Sequence, residues 1–91
     1  MIARVHIFIK GKVEGVFYRS WTKSTAETLK LNGWVKNLED GRVEAMFEGE
    51  KENVDEMVQK CKDGSRASEV THMDIIWEEA KGDFTGFNII G

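Results

Sequence analysis

The run Ile2-Ala3-Arg4-Val5-His6-Ile7-Phe8-Ile9-Lys10 is followed at once by Gly11-Lys12-Val13-Glu14-Gly15-Val16-Phe17-Tyr18-Arg19. In the first stretch Ala3, Val5, Ile7 and Ile9 point one way, and Arg4, His6, Phe8 and Lys10 point the other. A period of two marks a strand with one buried face. Two glycines then break the alternation, so residues 11–19 read as a loop. Residues 20–31 place Thr22, Thr25, Ala26 and Leu29 at helical spacing, with Trp21 beside them. Ser20 is the N-cap if the loop feeds straight in, and Ser24 with Glu27 offers a capping box if it does not. Asn32-Gly33 is the stop.

Outward from this strand–loop–helix unit, Trp34 to Leu38 reads as a short strand, and Asp40-Gly41 is a hairpin signal. Arg42 to Glu48 alternates again, with Val43, Ala45 and Phe47 on one face. Val54, Met57, Val58 and Cys61 recur at helical spacing, with Asn53 and Glu56 as a capping pair and Asp63-Gly64-Ser65 as the stop. Val70 to Glu78 is a third alternating run, with Met73, Ile75 and Trp77 in phase. Residues 80–86 form a loop, and Phe87 to Ile90 a last short strand. This order predicts an α+β fold of the ferredoxin-like type: βαββαβ plus a short C-terminal edge strand. The sheet is expected to be mostly antiparallel and covered on one face by two helices. The other face should show His6, Phe8, Glu44 and Met46. No repeat or linker divides the chain, so residues 1–91 are expected to form one domain.

Composition narrows the function. With 91 residues there is room for one modest core. The net charge of −3, with both signs interspersed, disfavours a nucleic-acid partner. The single cysteine, Cys61, precludes an internal disulfide and suits a reducing compartment. Met1 to His6 lacks the basic-then-apolar build of a signal peptide, and no apolar run is long enough to span a membrane. The expectation is a cytoplasmic protein, monomeric, with no membrane partner. Cys61, His6 and His72 are too scattered for a zinc site, so no metal is expected.

The glycine loop carries the chemistry. Its glycines let backbone N–H groups turn toward a common point, and the following helix adds free N–H groups and a positive end. Arg19 adds a planar fork of donors suited to phosphate oxygens. No Lys-Ser or Lys-Thr follows the second glycine, so this is not a Walker loop, and the spacing is not that of a dinucleotide fingerprint. The residues alone leave two readings open: an anion cradle, or a crossover loop with a surface arginine.

A resemblance bears on that choice. Gly11 to Arg19 resembles the acylphosphatase signature Gly-x-Val-Gln-Gly-Val-x-Phe/Tyr-Arg. Gly33-Trp34-Val35-Lys36-Asn37-Leu38-Glu39-Asp40-Gly41-Arg42-Val43-Glu44 resembles that family's Gly-Trp-Val-x-Asn…Asp-Gly-x-Val, and Gly86-Phe87-Asn88-Ile89 resembles its ending. The resemblance implies hydrolysis of the carboxyl–phosphate anhydride of small acyl phosphates, with no metal and no cofactor. By match to the motif, the backbone of Glu14, Gly15, Val16, Phe17, Tyr18 and Arg19 and the guanidinium of Arg19 would hold phosphate. Asn37 would orient the attacking water. A silent anion-binding domain of the same fold is the alternative. Glu14 stands where the family has glutamine. A carboxylate about 8 Å from a phosphate charge opposes it by roughly 2 kcal/mol at an effective dielectric near 20, unless the side chain points to solvent.

Other residues receive plainer readings. Tyr18 is expected in the core, Phe17 is left open, and Trp21, Trp34 and Trp77 are assigned to packing. His6 falls on the open sheet face and His72 on a strand surface. Cys61 lies on an apolar helix stripe and reads as an inert thiol. The charged run Glu48 to Glu56 reads as a solvated helix start. Lys10-Gly11-Lys12-Val13 fails the RNA-recognition octapeptide, and no Cys-x-x-Cys supports a metal carrier.

Overall fold

The structure is a computed structural model and describes residues 1–15 and 17–91. Its elements run β1 (Ile2–Lys12), α1 (Tyr18–Thr28), β2 (Asn32–Asn37), β3 (Val43–Glu50), α2 (Lys51–Asp63), β4 (Glu69–Glu78) and β5 (Phe87–Ile89). The sheet order is β4-β1-β3-β2-β5. All neighbours are antiparallel except β2 and β5, which run parallel. This is the ferredoxin-like arrangement, with the short extra edge strand that the sequence pattern predicts.

Alternation is the reason for the two layers. Val5, Ile7 and Ile9 of β1 pair with Phe47, Ala45 and Val43 of β3, and all six are fully buried. Burying one large aliphatic or aromatic side chain of this kind is worth roughly 1.5–3 kcal/mol. Onto this face α1 packs against β2 and β5, and α2 packs against β1, β3 and β4. Ala26 and Thr22 come from α1, and Val54, Met57 and Cys61 from α2. No helix of the described residues is long and apolar enough to cross a membrane.

Several boundaries differ from expectation, each for a local reason. Strand β1 continues through Gly11 and Lys12, because a register shift between Lys10 and Gly11 interrupts the alternation but not the pairing with β4. Helix α1 begins at Tyr18, not near Ser20, and neither Ser20 nor Ser24 caps it. It ends at Thr28, well before Asn32-Gly33, which instead open β2. The stop is a Schellman motif built on Lys30 at φ 58°. The Leu31 N–H donates to the Ala26 carbonyl at 2.9 Å and the Lys30 N–H to that of Glu27 at 3.0 Å. Leu31, 2% exposed, closes the motif against the core. Helix α2 starts at Lys51, two residues ahead of Asn53, and its first N–H donates to the Met1 carbonyl at 2.9 Å. Gly33 of β2 lies against the Met46–Phe47 backbone of β3. Its φ is +144°, and a Cβ there would stand 1.8 Å from the Met46 carbonyl oxygen.

The open face holds one unexpected feature. Strands β4 and β5 lie on opposite edges, so the segment 79–86 must cross the sheet. It is tied down by Glu48, which accepts the N–H groups of Lys81 at 2.9 Å and Gly82 at 3.0 Å. Glu48 also accepts from Arg4 Nε at 2.9 Å, and Arg4 donates onward to Asp83 and lies 4.2 Å from the Phe84 ring centroid. Arg4 and Glu48 are both 4% exposed, so Glu48 is not part of a solvated helix start. Burial works to raise the Glu48 carboxyl, but the Lys81 N–H, Arg4 and the Gly82 N–H outweigh it and hold the group below its ordinary value. Arg4 is likewise opposed by burial, yet its bonds to Glu48 and Asp83 keep it firmly charged.

The tryptophans separate. Trp21 packs on the core beside Tyr18, as expected. Trp34 lies on the open face, 6.0 Å from His6, not in the core. Trp77 stays 47% exposed at the β4 edge, where Lys51 Nζ sits 4.6 Å from its ring.

Candidate functional site

The register places the candidate residues. Ile9 pairs with Val43, and Val43 pairs with Asn37, so the three form one rung across β1, β3 and β2. Strands β1 and β2 are therefore parallel, two strand spacings or about 10 Å apart. Residues 13–15 leave β1 at the end where β2 finishes at Asn37. Strand β5, parallel to β2, finishes there too, with Ile89 beside Val35. Carboxyl ends of parallel strands gathered around a loop and a helix N-terminus make a natural crevice.

The loop is built residue by residue. Val13, 1% exposed, plugs it into the core, and its N–H donates to the Gly11 carbonyl at 3.0 Å. Glu14 and Gly15 are exposed, and Gly15 adopts φ 72°, which glycine takes without strain. Phe17 also lies in the left-handed region, at φ 59° and ψ 25°, and forms the N-cap of α1 with no side-chain hydrogen bond. That conformation costs a residue with a Cβ roughly 1–2 kcal/mol. Tyr18 secures the junction: it is 1% exposed, and its hydroxyl donates to the Cys61 carbonyl at 2.9 Å. The first turn of α1 is thereby pinned to the end of α2. Burial pushes the Tyr18 hydroxyl far above its ordinary value, and it pushes the Cys61 thiol up to about 12. Neither is an acid or nucleophile near neutral pH.

A cleft of about 270 Å³ opens here, lined by Val13, Gly15, Phe17, Tyr18, Arg19, Ser20 and Ile89. No acidic residue occupies the first turn of α1, so its positive end and free N–H groups are not neutralised locally. Among the described residues, Arg4 and Arg42 are paired with carboxylates. Arg19 and Arg66 have none within 4.0 Å among the described residues, and of the two it is Arg19 that lines the cleft. The arrangement is equipped to hold an anion. Gly15, Phe17, Tyr18 and Arg19 are thus brought together, while Val16 lies outside the described residues. Glu14 does not line the cleft, which matches the reading in which its side chain faces solvent. Asn37 is also outside the lining. It is half-buried at the end of β2, and its Oδ1 is buried with no hydrogen-bond partner among the described residues.

Three lining residues are not legible in the sequence as site residues: Ser20, which reads as a helix cap, Ile89 and Val13. Ile89 forms a wall only because β5 runs parallel to β2. Val13 reads as an ordinary motif position until its burial is seen. His6 lies on the open face, with Nε2 2.6 Å from Glu44 and Nδ1 3.4 Å from Glu78, far from the cleft in topology. His72 is exposed beside Asp74. Among the described residues no cluster of His, Cys, Asp and Glu could hold a metal.

The family model described as acylphosphatase matches residues 5–89. The chain belongs to the acylphosphatase family. A protein named acylphosphatase from Roseiflexus sp. (strain RS-1) is 46% identical over 89 residues, covering 98% of this chain and 96% of its own. One of the same name from Syntrophus aciditrophicus (strain SB) is 43% identical over 90 residues, with 99% and 94% covered. The crystal structure of acylphosphatase from Bacillus subtilis superposes with a TM-score of 0.93 at 34% identity, covering all of both chains. The chain is an enzyme of the acylphosphatase type, and the cleft occupies the segment that carries the family's first signature.

Proposed function

We propose that the Arg19 cleft binds the phosphoryl group of a small acyl phosphate and that water held by Asn37 attacks its phosphorus. The bond between water oxygen and phosphorus forms as the bond to the acyl oxygen breaks. The acyl oxygen leaves with the bonding pair as a carboxylate. A proton of the water ends on a phosphate oxygen. Carboxylate is a good leaving group, so no strong general acid is needed. Backbone N–H groups of residues 14–19 and the guanidinium of Arg19 stabilise charge on the equatorial oxygens, and positioning supplies most of the rest. Asn37 is too weak a base to take a proton, and its role is orientation.

The observation that carries this reading is Arg19: a guanidinium without a carboxylate partner, lining a cleft at an uncapped helix N-terminus. The unpartnered Asn37 Oδ1 supports the second role, since a buried acceptor without a donor is costly unless water or ligand meets it. Residues 1–91 would act as one domain and a monomer, without metal or cofactor. The lone buried Cys61 suits a cytoplasmic setting, and the net charge of −3 suits a small-molecule substrate better than nucleic acid.

The test is hydrolysis of benzoyl phosphate with and without a chelator. Chelator-insensitive turnover, inhibited by inorganic phosphate, is expected. Arg19→Ala should abolish it, and Asn37→Ala should lower kcat by roughly 10²–10³, as for single oxyanion donors. An Arg19→Ala protein that keeps most of its activity and phosphate inhibition refutes the assignment. Phosphate binding without turnover would instead identify a silent anion-binding domain.

A further inference from the structure

Asn32-Gly33 is not the helix stop that its composition suggests, and it has no part in the cleft. It is a reactive dipeptide. The amide nitrogen of the residue after an asparagine can lose its proton and bond to the side-chain Cγ. The bond from Cγ to Nδ2 breaks, its electron pair and the proton leave as ammonia, and a succinimide ring remains. Water opens that ring at either carbonyl, giving aspartate, or isoaspartate with one more carbon in the backbone. A following glycine favours closure, because no side chain crowds its nitrogen and its backbone turns freely. Asn37, Asn53 and Asn88 are followed instead by Leu38, Val54 and Ile89, whose branched side chains crowd it. Asn32 is exposed, so water reaches its amide.

The fold holds this reaction in check. Asn32 lies in extended backbone, and the attacking nitrogen is engaged, since the Gly33 N–H donates to the Gly86 carbonyl at 3.0 Å. Ring closure must break that bond. It must also bend a backbone without slack, because even a Cβ on Gly33 would stand 1.8 Å from the Met46 carbonyl oxygen. The nitrogen is freed when the three-residue β5 lifts from β2.

We propose that Asn32 is a spontaneous deamidation site gated by β5, and that its products weaken the hold on β5. The second half rests on the register. Asn32 lies opposite Glu48 across β2 and β3. A carboxylate at position 32 stands beside the carboxylate that anchors Lys81 and Gly82, and like charges directly opposite each other destabilise a sheet. Isoaspartate lengthens β2 by one backbone carbon and disturbs the same pair. Either product loosens the anchor of the chain that leads into β5.

The test incubates the protein at mildly alkaline pH over a series of urea concentrations. Mass spectrometry follows the peptide carrying residues 32–33, with the peptides carrying Asn53 and Asn88 as controls. Asn32 should outrun both controls in unfolded protein and react about ten-fold or more slowly in folded protein, because reaction of a transiently opened form tracks its population. Its rate should begin to rise below the urea midpoint, as local lifting of β5 requires. No deamidation at Asn32 in unfolded protein overturns the site. Equal rates in folded and unfolded protein, or a rate that follows global unfolding alone, overturn the gate. The products are tested by making Asn32→Asp directly. Its urea midpoint should fall below that of Asn32→Gln, and the gap should close in a Glu48→Gln background. Equal midpoints, or a gap that persists without the Glu48 charge, refute the second half.

Discussion

Replacing Glu48 with alanine should loosen the crossing segment 79–86 and cost about 3 kcal/mol of stability. The side chain makes three bonds that alanine cannot replace: from the Lys81 N–H, the Gly82 N–H and Arg4 Nε. Hydrogen bonds to a charged group are worth roughly 1.5–3 kcal/mol each. The full sum is not lost, because Arg4 keeps Asp83 and water reaches the two N–H groups once the segment lifts. Removing one partner of a buried ion pair typically costs roughly 3–5 kcal/mol, and the low end applies here. A 91-residue chain has a total stability of roughly 5–14 kcal/mol, so the loss is a large share of it. In thermal terms it corresponds to a Tm lower by roughly 12–24 °C. Urea unfolding followed by tryptophan fluorescence, with a thermal melt beside it, measures both. A loss under about 1 kcal/mol would sink the reasoning, because values that small are typical of exposed ion pairs. The double variant Arg4→Met, Glu48→Leu gives a second check. Removing both charges should recover most of the loss seen with Glu48→Ala, since paired apolar replacements of buried ion pairs are often neutral.

Three further outcomes are expected. Lys30→Gly should stabilise the protein by roughly 0.5–1 kcal/mol in urea unfolding, since glycine takes the left-handed position of the Schellman motif freely; a loss would show that Lys30 is held by something other than its backbone. Gly33→Ala should cost roughly 3 kcal/mol or more, or abolish cooperative melting, because a Cβ would overlap the Met46 carbonyl. Acid should weaken the crossing segment. The folded Glu48 and Asp83 carboxyls lie below their ordinary values of 4.5 and 3.8. Their contribution is therefore complete above those values and is lost as pH falls through the depressed folded ones. Urea midpoints at pH 7 and pH 2 should differ less in Glu48→Ala than in the unaltered protein, and equal differences would contradict the sign.

How far the sequence carries the fold depends on the range of the interaction. Alternation in β1 and β3 is written in adjacent residues, and both layers follow from it. The hairpin at Asp40-Gly41 is equally local: the Leu38 N–H donates to the Arg42 carbonyl at 2.8 Å across it. The stop of α1 falls earlier than the sequence suggests because Lys30 carries no compositional mark of a left-handed residue, whereas Asn32-Gly33 does. Alternation puts Arg4 on the open face, where it lies, but its burial depends on a segment almost eighty residues away. Trp77 has the right phase for the core and remains half-exposed because β4 is an edge. At the site, the loop and Arg19 are legible as a contiguous motif. Ile89 is not, because only the parallel pairing of β5 with β2 brings it to the cleft.

That pairing has one more consequence. Strand β5 is three residues long, and among the described residues it is the strand that pairs with the outer edge of β2. The bonds closing this edge are few: the Gly33 N–H to the Gly86 carbonyl at 3.0 Å and the Ile90 N–H to the Val35 carbonyl at 2.9 Å flank the ladder. When the carboxyl-terminal segment detaches, β2 becomes a bare template on which another chain's strand can align. By anchoring residues 81–83, the ion pair of Arg4 and Glu48 ties down the chain that leads into this short strand, one strand in from the edge that β5 covers.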